Sequence, residues 1–373
     1  MTTLTEIRRD AQESFRILGF PTTHDEDWKY TSAAPIARAR FVSVPPAVQT
    51  GSLAAAIEAG SGIVERHLAR YASYKDHAFV AWNTASFEDG AFLEIPSGRA
   101  IEEPIHLRFA ASPNGKPTVC HPRNLIVVGR GSQVTIVESY LGPDGAVYLT
   151  NPVTEIIVGA GAVVEHIKLQ QEGDLGYHVS TTQVFQERGS NFTSHSISLG
   201  GALVRNDINT VLAGEGGEAT LNGLYVATGR QHVDNHTAID HCKPHCASHE
   251  LYKGVLAGRS AAVFNGKIFV RQDAQKTDAK QTNKNLLLSE DAVINTKPQL
   301  EISADDVRCT HGATVGQLDE EPVFYMRSRG FSAQDARRIL TVAFARDITD
   351  RIKNEPVRAW LAEMVSAKLN EAL

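Results

Sequence analysis

A thiol and an imidazole stand two residues apart near the end of this sequence, in Cys309-Thr310-His311. Residues two apart in an extended strand point to the same side, so Cys309 and His311 would share one face. Both side chains are ligands for iron, zinc or copper. An iron–sulfur species needs about four such donors, so a site here would take residues from a second chain. The alternative is a buried cysteine that packs as a small apolar residue beside a hydrogen-bonded histidine.

A second group of potential ligands lies in residues 232–249, which contain five histidines and two cysteines. Structural zinc sites usually contain Cys-x-x-Cys pairs, whereas Cys242 and Cys246 are separated by three residues and have no second pair nearby. Pro244 interrupts any regular strand. We interpret the segment as a loop with packing histidines, and a metal site remains the alternative.

The elements that must position these residues change along the chain. The start of the sequence has apolar residues at helical spacing and then Gly19, which predicts a helix that ends there. The alanine-rich stretch 52–74 predicts another helix. These helices make up an N-terminal helical region, residues 1–94. The apolar positions of the first helix are Leu4, Ile7, Ala11, Phe15 and Leu18.

Glycines recur at a near-constant interval in the middle of the chain, between short apolar runs that alternate with polar residues. The repeating positions are Gly131, Gly161, Gly189 and Gly216. A fixed period with one turn in each repeat is typical of a solenoid. A β-sandwich would not keep such a period, and the six-residue repeat of a left-handed β-helix is missing. The sequence therefore predicts a mainly β protein with a right-handed parallel β-helix core over residues 95–325.

The last region, residues 326–373, is predicted to be helical again. Ser332 and Asp335 form a capping pair before one amphipathic run, and Pro356 starts a second. Two such helices would either cap the open coil of the β-helix or bind a partner.

Composition excludes several classes of protein. The net charge of -6 does not favour nucleic-acid binding, and four cysteines are too few for a disulfide scaffold. The first twenty residues are too charged for a signal peptide, and no apolar run is long enough to span a membrane. We expect a cytoplasmic protein. The phosphate-loop and nucleophile-elbow motifs are also missing, so neither ATP hydrolysis nor a serine hydrolase mechanism is expected.

The second half of the chain contains a series of distinctive segments, which are Glu250–Leu256, Ala262–Ile268, Ala274–Ala279, Asn285–Ser289, Pro298–Ile302, Cys309–Gly316 and Tyr325–Gly330. Together they resemble the SufB/SufD family of iron–sulfur cluster assembly scaffolds. Asp27–Thr31 also resembles the amino-terminal motif of that family. SufB carries a cysteine in the segment that is Lys280–Asn285 here, and this chain has none, which indicates the SufD side of the family.

The resemblance implies a non-catalytic scaffold subunit with two partners. SufB would pair with the end of the β-helix, and the ATPase SufC would bind the C-terminal helical region. His311 matches the histidine of the family's Cys-x-His-Gly motif at the SufB–SufD interface, and Cys309 matches the neighbouring thiol. Iron or an iron–sulfur cluster would be bound only transiently in the complex, with no cofactor held tightly by the isolated chain. For the ATPase-binding surface we expect Arg327, Arg329, Phe331, Leu340 and Phe344.

Other possibilities remain open at this stage. A β-helix enzyme acting on acidic polysaccharide is one alternative, although such lyases typically follow a signal peptide. A self-contained metal-binding protein that uses residues 232–249 is another. The isolated chain could also form a homodimer, because an exposed β-helix end favours self-pairing.

Overall fold

The computed structural model describes residues 3–373, and the chain begins with a group of short helices. Helix α1 (Leu4–Leu18) starts at the capping residue Thr3 and ends at Gly19, which has a φ of 64°, as the sequence predicts. The elements that follow are a 3₁₀ helix (Glu26–Trp28), α2 (Ala34–Arg38), β1 (Val42–Ser43), α3 (Leu53–Glu58), α4 (Gly62–His67) and α5 (Ala78–Ser86).

The single helix predicted over residues 52–74 is wrong. Two short helices, α3 and α4, occupy part of this stretch, and each begins at a serine whose hydroxyl accepts a backbone N–H. Gly60 lies between them with a φ of 67°, a left-handed conformation that a helix cannot contain. Alanine content alone indicated one helix, but the second serine and this glycine interrupt it.

Strands from β2 to β19 wind into a parallel β-solenoid of about 8 turns. One sheet contains β1, β2, β4, β5, β7, β8, β10, β12, β14, β16 and β18, and the other contains the remaining strands. The strands are β2 (Phe92–Ile95), β3 (Ile105–Ala110), β4 (Thr118–Cys120), β5 (Arg123–Val128), β6 (Gln133–Leu141), β7 (Tyr148–Thr150), β8 (Val153–Val158), β9 (Val163–Gln171), β10 (Gly176–Gln186), β11 (Asn191–Ser198), β12 (Leu203–Leu212), β13 (Glu218–Ala227), β14 (His232–His241), β15 (Ala247–Leu256), β16 (Ala261–Val270), β17 (Asp278–Leu287), β18 (Val293–Ile302) and β19 (Arg308–Gly316).

The glycine period corresponds to a stack of identical turns. Gly131, Gly161, Gly189 and Gly216 all have φ between 62° and 69°, and each donates its N–H to a carbonyl of the next turn. Only a left-handed residue closes this turn, and glycine takes that conformation at least cost. The predicted solenoid flanked by helices is therefore confirmed.

Three helices complete the chain: α6 (Glu320–Ser328), α7 (Ala333–Thr349) and α8 (Glu355–Ala372). Ser332 caps α7 by accepting the N–H of Asp335, as predicted. Of the two alternatives for the terminal helices, capping of the open coil is not what the structure shows. Apolar residues of α7 and α8, such as Ile348 and Leu361, pack with Leu169 and Leu224 on the outer face of the second sheet. The helices therefore cover the flank of the solenoid.

The strands from β2 to β19 run from Phe92 to Gly316, and α6 begins at Glu320. The division into regions 1–94, 95–325 and 326–373 stays a prediction, because secondary structure does not show which parts fold independently. Within residues 3–373, no helix has the length and apolar character needed to cross a bilayer.

Candidate functional site

The Cys309–His311 pair lies on β19, the outermost strand of the second sheet. This strand pairs with β17 on one side, where Cys309 lies opposite Ala279 and His311 opposite Gln281. Ala279 and Gln281 are buried inside the solenoid, so the pair belongs to the inward-facing row of the last coil. No further coil covers that row, and His311 is exposed. The prediction that Cys309 and His311 share one face of a strand is confirmed. The structure adds that this face lies at the open end of the solenoid.

Cys309 differs from His311 in its surroundings. It is half-buried and packs against the main apolar core together with Val307. Burial raises the pKa of the Cys309 thiol above its ordinary value. The two side chains together supply two possible donors, fewer than the four that an iron–sulfur species needs.

A buried polar row continues inward from His311. Gln281, in the coil beneath, donates from Nε2 to Oε2 of Glu250 at 2.7 Å. Glu250 lies in the next coil and is also buried. Burial raises the pKa of Glu250 to about 7, and the hydrogen bond from Gln281 only partly opposes this effect. Neither residue was predicted as functional. The sequence does indicate that Glu250 and Gln281 face inward, because each lies two residues from an apolar core residue on the same strand.

The histidine-rich segment is not a loop, contrary to the interpretation from sequence. Residues 232–241 form β14 and residues 247–256 form β15, with a turn between them. His241 is buried and shares a hydrogen bond of 2.9 Å with the Ser248 hydroxyl, and burial lowers the pKa of this histidine to about 4. Pro244 and His245 belong to the connecting turn, and His245 has a φ of 61°. Pro244 interrupts the strand pattern, as predicted, but regular strands lie on both sides of it.

His232 and His236 face the outside of the first sheet instead. His232 contacts the Thr31 hydroxyl at 2.8 Å, and the Nε2 atom of His236 lies 3.0 Å from Asp234. In the part of the chain that the structure describes, no three histidine, cysteine or acidic side chains come close enough together to hold a metal ion.

The residues expected to bind the ATPase fall into two groups. Arg327, Arg329 and Phe331 are exposed at the end of α6 and the turn that follows. Phe344 lies on α7, on the side that faces the solenoid. The Lys253 ammonium lies 4.4 Å from the centre of the Phe344 ring and donates to the backbone carbonyl of Phe344 at 3.0 Å. Leu340, on the same helix, is partly buried.

Two aromatic residues that sequence reasoning missed are more exposed than the predicted ones. Phe324 is 71% exposed and Tyr325 58%, whereas Phe331 is 46% exposed. All three lie on or directly after α6, which is short and was not predicted. We call Phe324, Tyr325 and Phe331 the α6 aromatic patch.

Comparison with known proteins relates this architecture to one family. The family model described as "SUF system FeS cluster assembly, SufBD core domain" matches residues 109–344, which include β19 and α6. The model of the SufBD protein N-terminal region matches residues 36–107. The chain belongs to the SufBD family of iron–sulfur cluster assembly proteins. The resemblance seen in the sequence is thereby confirmed.

Individual members of the SufBD family match over most of their length. An iron–sulfur cluster assembly SufBD family protein of Synechocystis is 33% identical over 97% of this chain and 90% of its own. The iron–sulfur cluster assembly protein SufD of Escherichia coli is 30% identical, over 94% of this chain and 90% of its own. SufD of Bacillus subtilis is 28% identical over 83% of this chain and 71% of its own. The relatives from Escherichia coli and Bacillus subtilis are both named SufD.

Proposed function

We propose that this SufBD family member is a scaffold subunit that contributes one imidazole donor to an iron–sulfur cluster assembly site shared with SufB. The observation that carries the proposal is the position of His311, which is exposed in the inward-facing row of a coil that no further coil covers. A second solenoid that stacked on this last coil would bring its own metal-ligand side chains next to His311. The iron or cluster is then transient cargo of the complex, and the isolated chain holds no cofactor tightly.

The unpaired edges of the last coil support pairing at this end. β19 has one neighbour in its sheet, β17, and β18 has one, β16. A strand edge carries free N–H and C=O groups that another strand can bind. Val293, Ile302 and Val315 are large apolar residues exposed on these two strands. A SufB subunit would cover them, and a second copy of this chain could do the same in isolation.

The α6 aromatic patch supports a second contact, with the ATPase SufC. Its three aromatic side chains lie beside exposed Arg327 and Arg329, and aromatic and arginine side chains are enriched at protein interfaces. Of the residues expected at this contact, Phe331 and the two arginines are accessible to a partner. Leu340 and Phe344 would act by holding α7 against the solenoid.

In this arrangement the chain itself is not an enzyme. The ATPase partner would supply the energy for a conformational change, and this chain would transmit it between the helical region and the open end. The working complex would be cytoplasmic. Its chemistry at His311 is the binding of iron by a neutral imidazole nitrogen, while thiolate and carboxylate donors come from SufB.

The test is His311→Ala in the complex reconstituted with SufB and SufC. We expect the complex to assemble with its normal stoichiometry but to lose cluster formation, measured as bound iron and acid-labile sulfide. His249→Ala is the matched control, because His249 is exposed on β15 of the same sheet and has the opposite strand parity. Normal iron and sulfide in an intact His311→Ala complex would refute the donor role.

A further inference from the structure

The acidic and aromatic segment Glu26–Thr31 reaches across the outer face of the first sheet and contacts four successive strands. We call it the N-terminal clamp. Its contacts are with Arg205 on β12, His232 and Asp234 on β14, Lys267 on β16 and Lys297 on β18. These strands are neighbours in the sheet, so the contacts of the segment span four adjacent strands up to the last coil.

The centre of the clamp is a buried ionic network. The Arg205 guanidinium donates to the carbonyl of Asp27 at 2.6 Å and to the carboxylate of Asp234 at 2.7 Å. The Thr31 hydroxyl donates to the same carboxylate at 2.6 Å. The Trp28 ring covers the guanidinium at 4.5 Å and stacks on Phe79 of α5. Arg205, Asp234 and Thr31 are almost completely buried, so this part anchors the segment.

The other arm of the clamp is ionic and partly exposed. The Asp27 carboxylate accepts from the Lys267 ammonium at 2.7 Å, and Glu26 pairs with Lys297. Lys297 lies on β18, which forms the last coil together with β19. Terminal strands with one neighbour open most easily. Among the described residues, the Glu26–Lys297 ion pair is the contact between the N-terminal segment and this coil, and it lies on the face away from the open row.

We infer that the N-terminal clamp suppresses local opening of the last coils and so keeps the open end of the solenoid in the conformation that a partner subunit would bind. The clamp accounts for two features that the proposed function leaves unexplained, the Asp27-Trp28 motif and the outward histidines of β14. The suppression of local opening is a property of the isolated chain. Only the consequence for pairing with a partner subunit rests on the proposed function.

The experiment is hydrogen–deuterium exchange on the isolated chain, comparing wild type with the double variant Glu26→Gln/Asp27→Asn. We expect amides of β16 and β18 to exchange several-fold faster in the variant, with β5 and β8 unchanged. Raising the salt concentration to about 1 M should reproduce the effect in wild type, because screening weakens exposed ion pairs. The variant should show little further change with salt.

Asp25→Asn is the matched control, because within the described chain the Asp25 carboxylate accepts hydrogen bonds from Thr22, outside the clamp, and from no residue of the sheet. The charge-swapped pair Asp27→Lys/Lys267→Asp should restore slow exchange that each single substitution loses. Unchanged exchange at β16 and β18, an equal effect of Asp25→Asn, or faster exchange throughout the solenoid would each overturn the inference. Because no partner is present, these outcomes are independent of whether His311 binds iron.

Discussion

Glu250, Gln281 and His311 occupy equivalent inward-facing positions on three successive strands, yet they have different environments. Glu250 is buried, Gln281 is buried between the other two, and His311 is exposed. A carboxylate in that interior is removed from bulk solvent, and one of its oxygens has no hydrogen-bond partner among the described residues. The charged form of Glu250 is therefore unfavourable, and the amide of Gln281 separates it from the open end.

Glu250 should make the stability of the protein depend on pH near neutrality. Its pKa is about 7 in the folded chain and about 4.3 in the unfolded chain. The folded state therefore holds the proton more tightly, and stability falls as pH rises from about 4.3 to about 7. Glu250→Gln keeps the shape without the charge and should be more stable than wild type at pH 8, by roughly 3–4 kcal/mol. Urea unfolding at pH 5 and pH 8 measures this.

At pH 5 the two proteins should differ much less, because the wild-type carboxyl is then largely protonated in the folded state. A comparison variant is Gln281→Glu, which places a carboxyl group one coil closer to the open end of the solenoid. It should introduce the same kind of dependence of stability on pH. Equal pH dependence in wild type and Glu250→Gln would contradict the assignment.

At the scale of elements, the turn stack explains why the glycine period ends while the solenoid continues. The position after Gly216 in the stack is His245 and the next is Lys276, and both have left-handed φ, 61° and 63°. Their N–H groups donate to carbonyls of the next turn just as those of the glycines do. The turn geometry is therefore retained where the side chain makes it unfavourable, because stacking on the preceding coil fixes the backbone.

Substitutions at two positions of this stack should have opposite effects on stability. A Cβ at Gly216 would meet no atom within 4 Å, so Gly216→Ala tests backbone conformation alone and should cost about 1–2 kcal/mol. His245→Gly relieves the same strain and should be neutral or slightly stabilising. The measurement is the midpoint of urea unfolding.

Gly62→Ala serves as the control for these variants. Gly62 also has free space around it but lies in α4 without a left-handed φ. Alanine there should be neutral or stabilising, since it favours helix. A similar loss in Gly62→Ala and Gly216→Ala would show that the turn conformation is not the cause.

At the scale of the whole molecule, the terminal helices cover the outer face of the second sheet and leave the last coil of the solenoid open. The outer face of the second sheet carries apolar residues, among them Ile167 and Val255, that would otherwise meet water. Deleting everything after Gly330 would uncover this face, so loss of a partner in such a truncation would not locate the contact. Point substitutions in the α6 aromatic patch avoid the problem.

Phe324→Ser/Phe331→Ser should abolish co-purification of SufC while leaving pairing with SufB and the folded stability unchanged. The physical reason is that exposed aromatic side chains contribute strongly to an interface and little to the fold. The control is Ile17→Ser on α1, which removes an apolar side chain that is 70% exposed. Retained SufC binding in the double variant, measured by affinity pull-down, would locate the contact elsewhere.

The interior of the solenoid is another property of the whole molecule. Glu138, Lys168 and Glu172 lie inside it, completely buried. Tyr140 donates to Glu138 at 2.9 Å, Lys168 donates to Asn206 at 2.8 Å, and burial lowers the pKa of Lys168 to about 8. Glu138 and Lys168 come from β6 and β9, which become neighbours only when the chain winds into the solenoid.

The sequence by itself determined the solenoid, the first helix, the two long terminal helices and the shared face of Cys309 and His311. Each depends on short-range periodicity: glycine at turns, apolar residues at helical spacing, alternation along a strand. Only the tertiary structure decided that the helices lie on the flank, that the histidine-rich segment is strand, and that Phe344 is packed while Phe324 is exposed. Those outcomes depend on which surfaces meet after the chain winds. Local spacing cannot encode that, because the contacting residues are one or more coils apart.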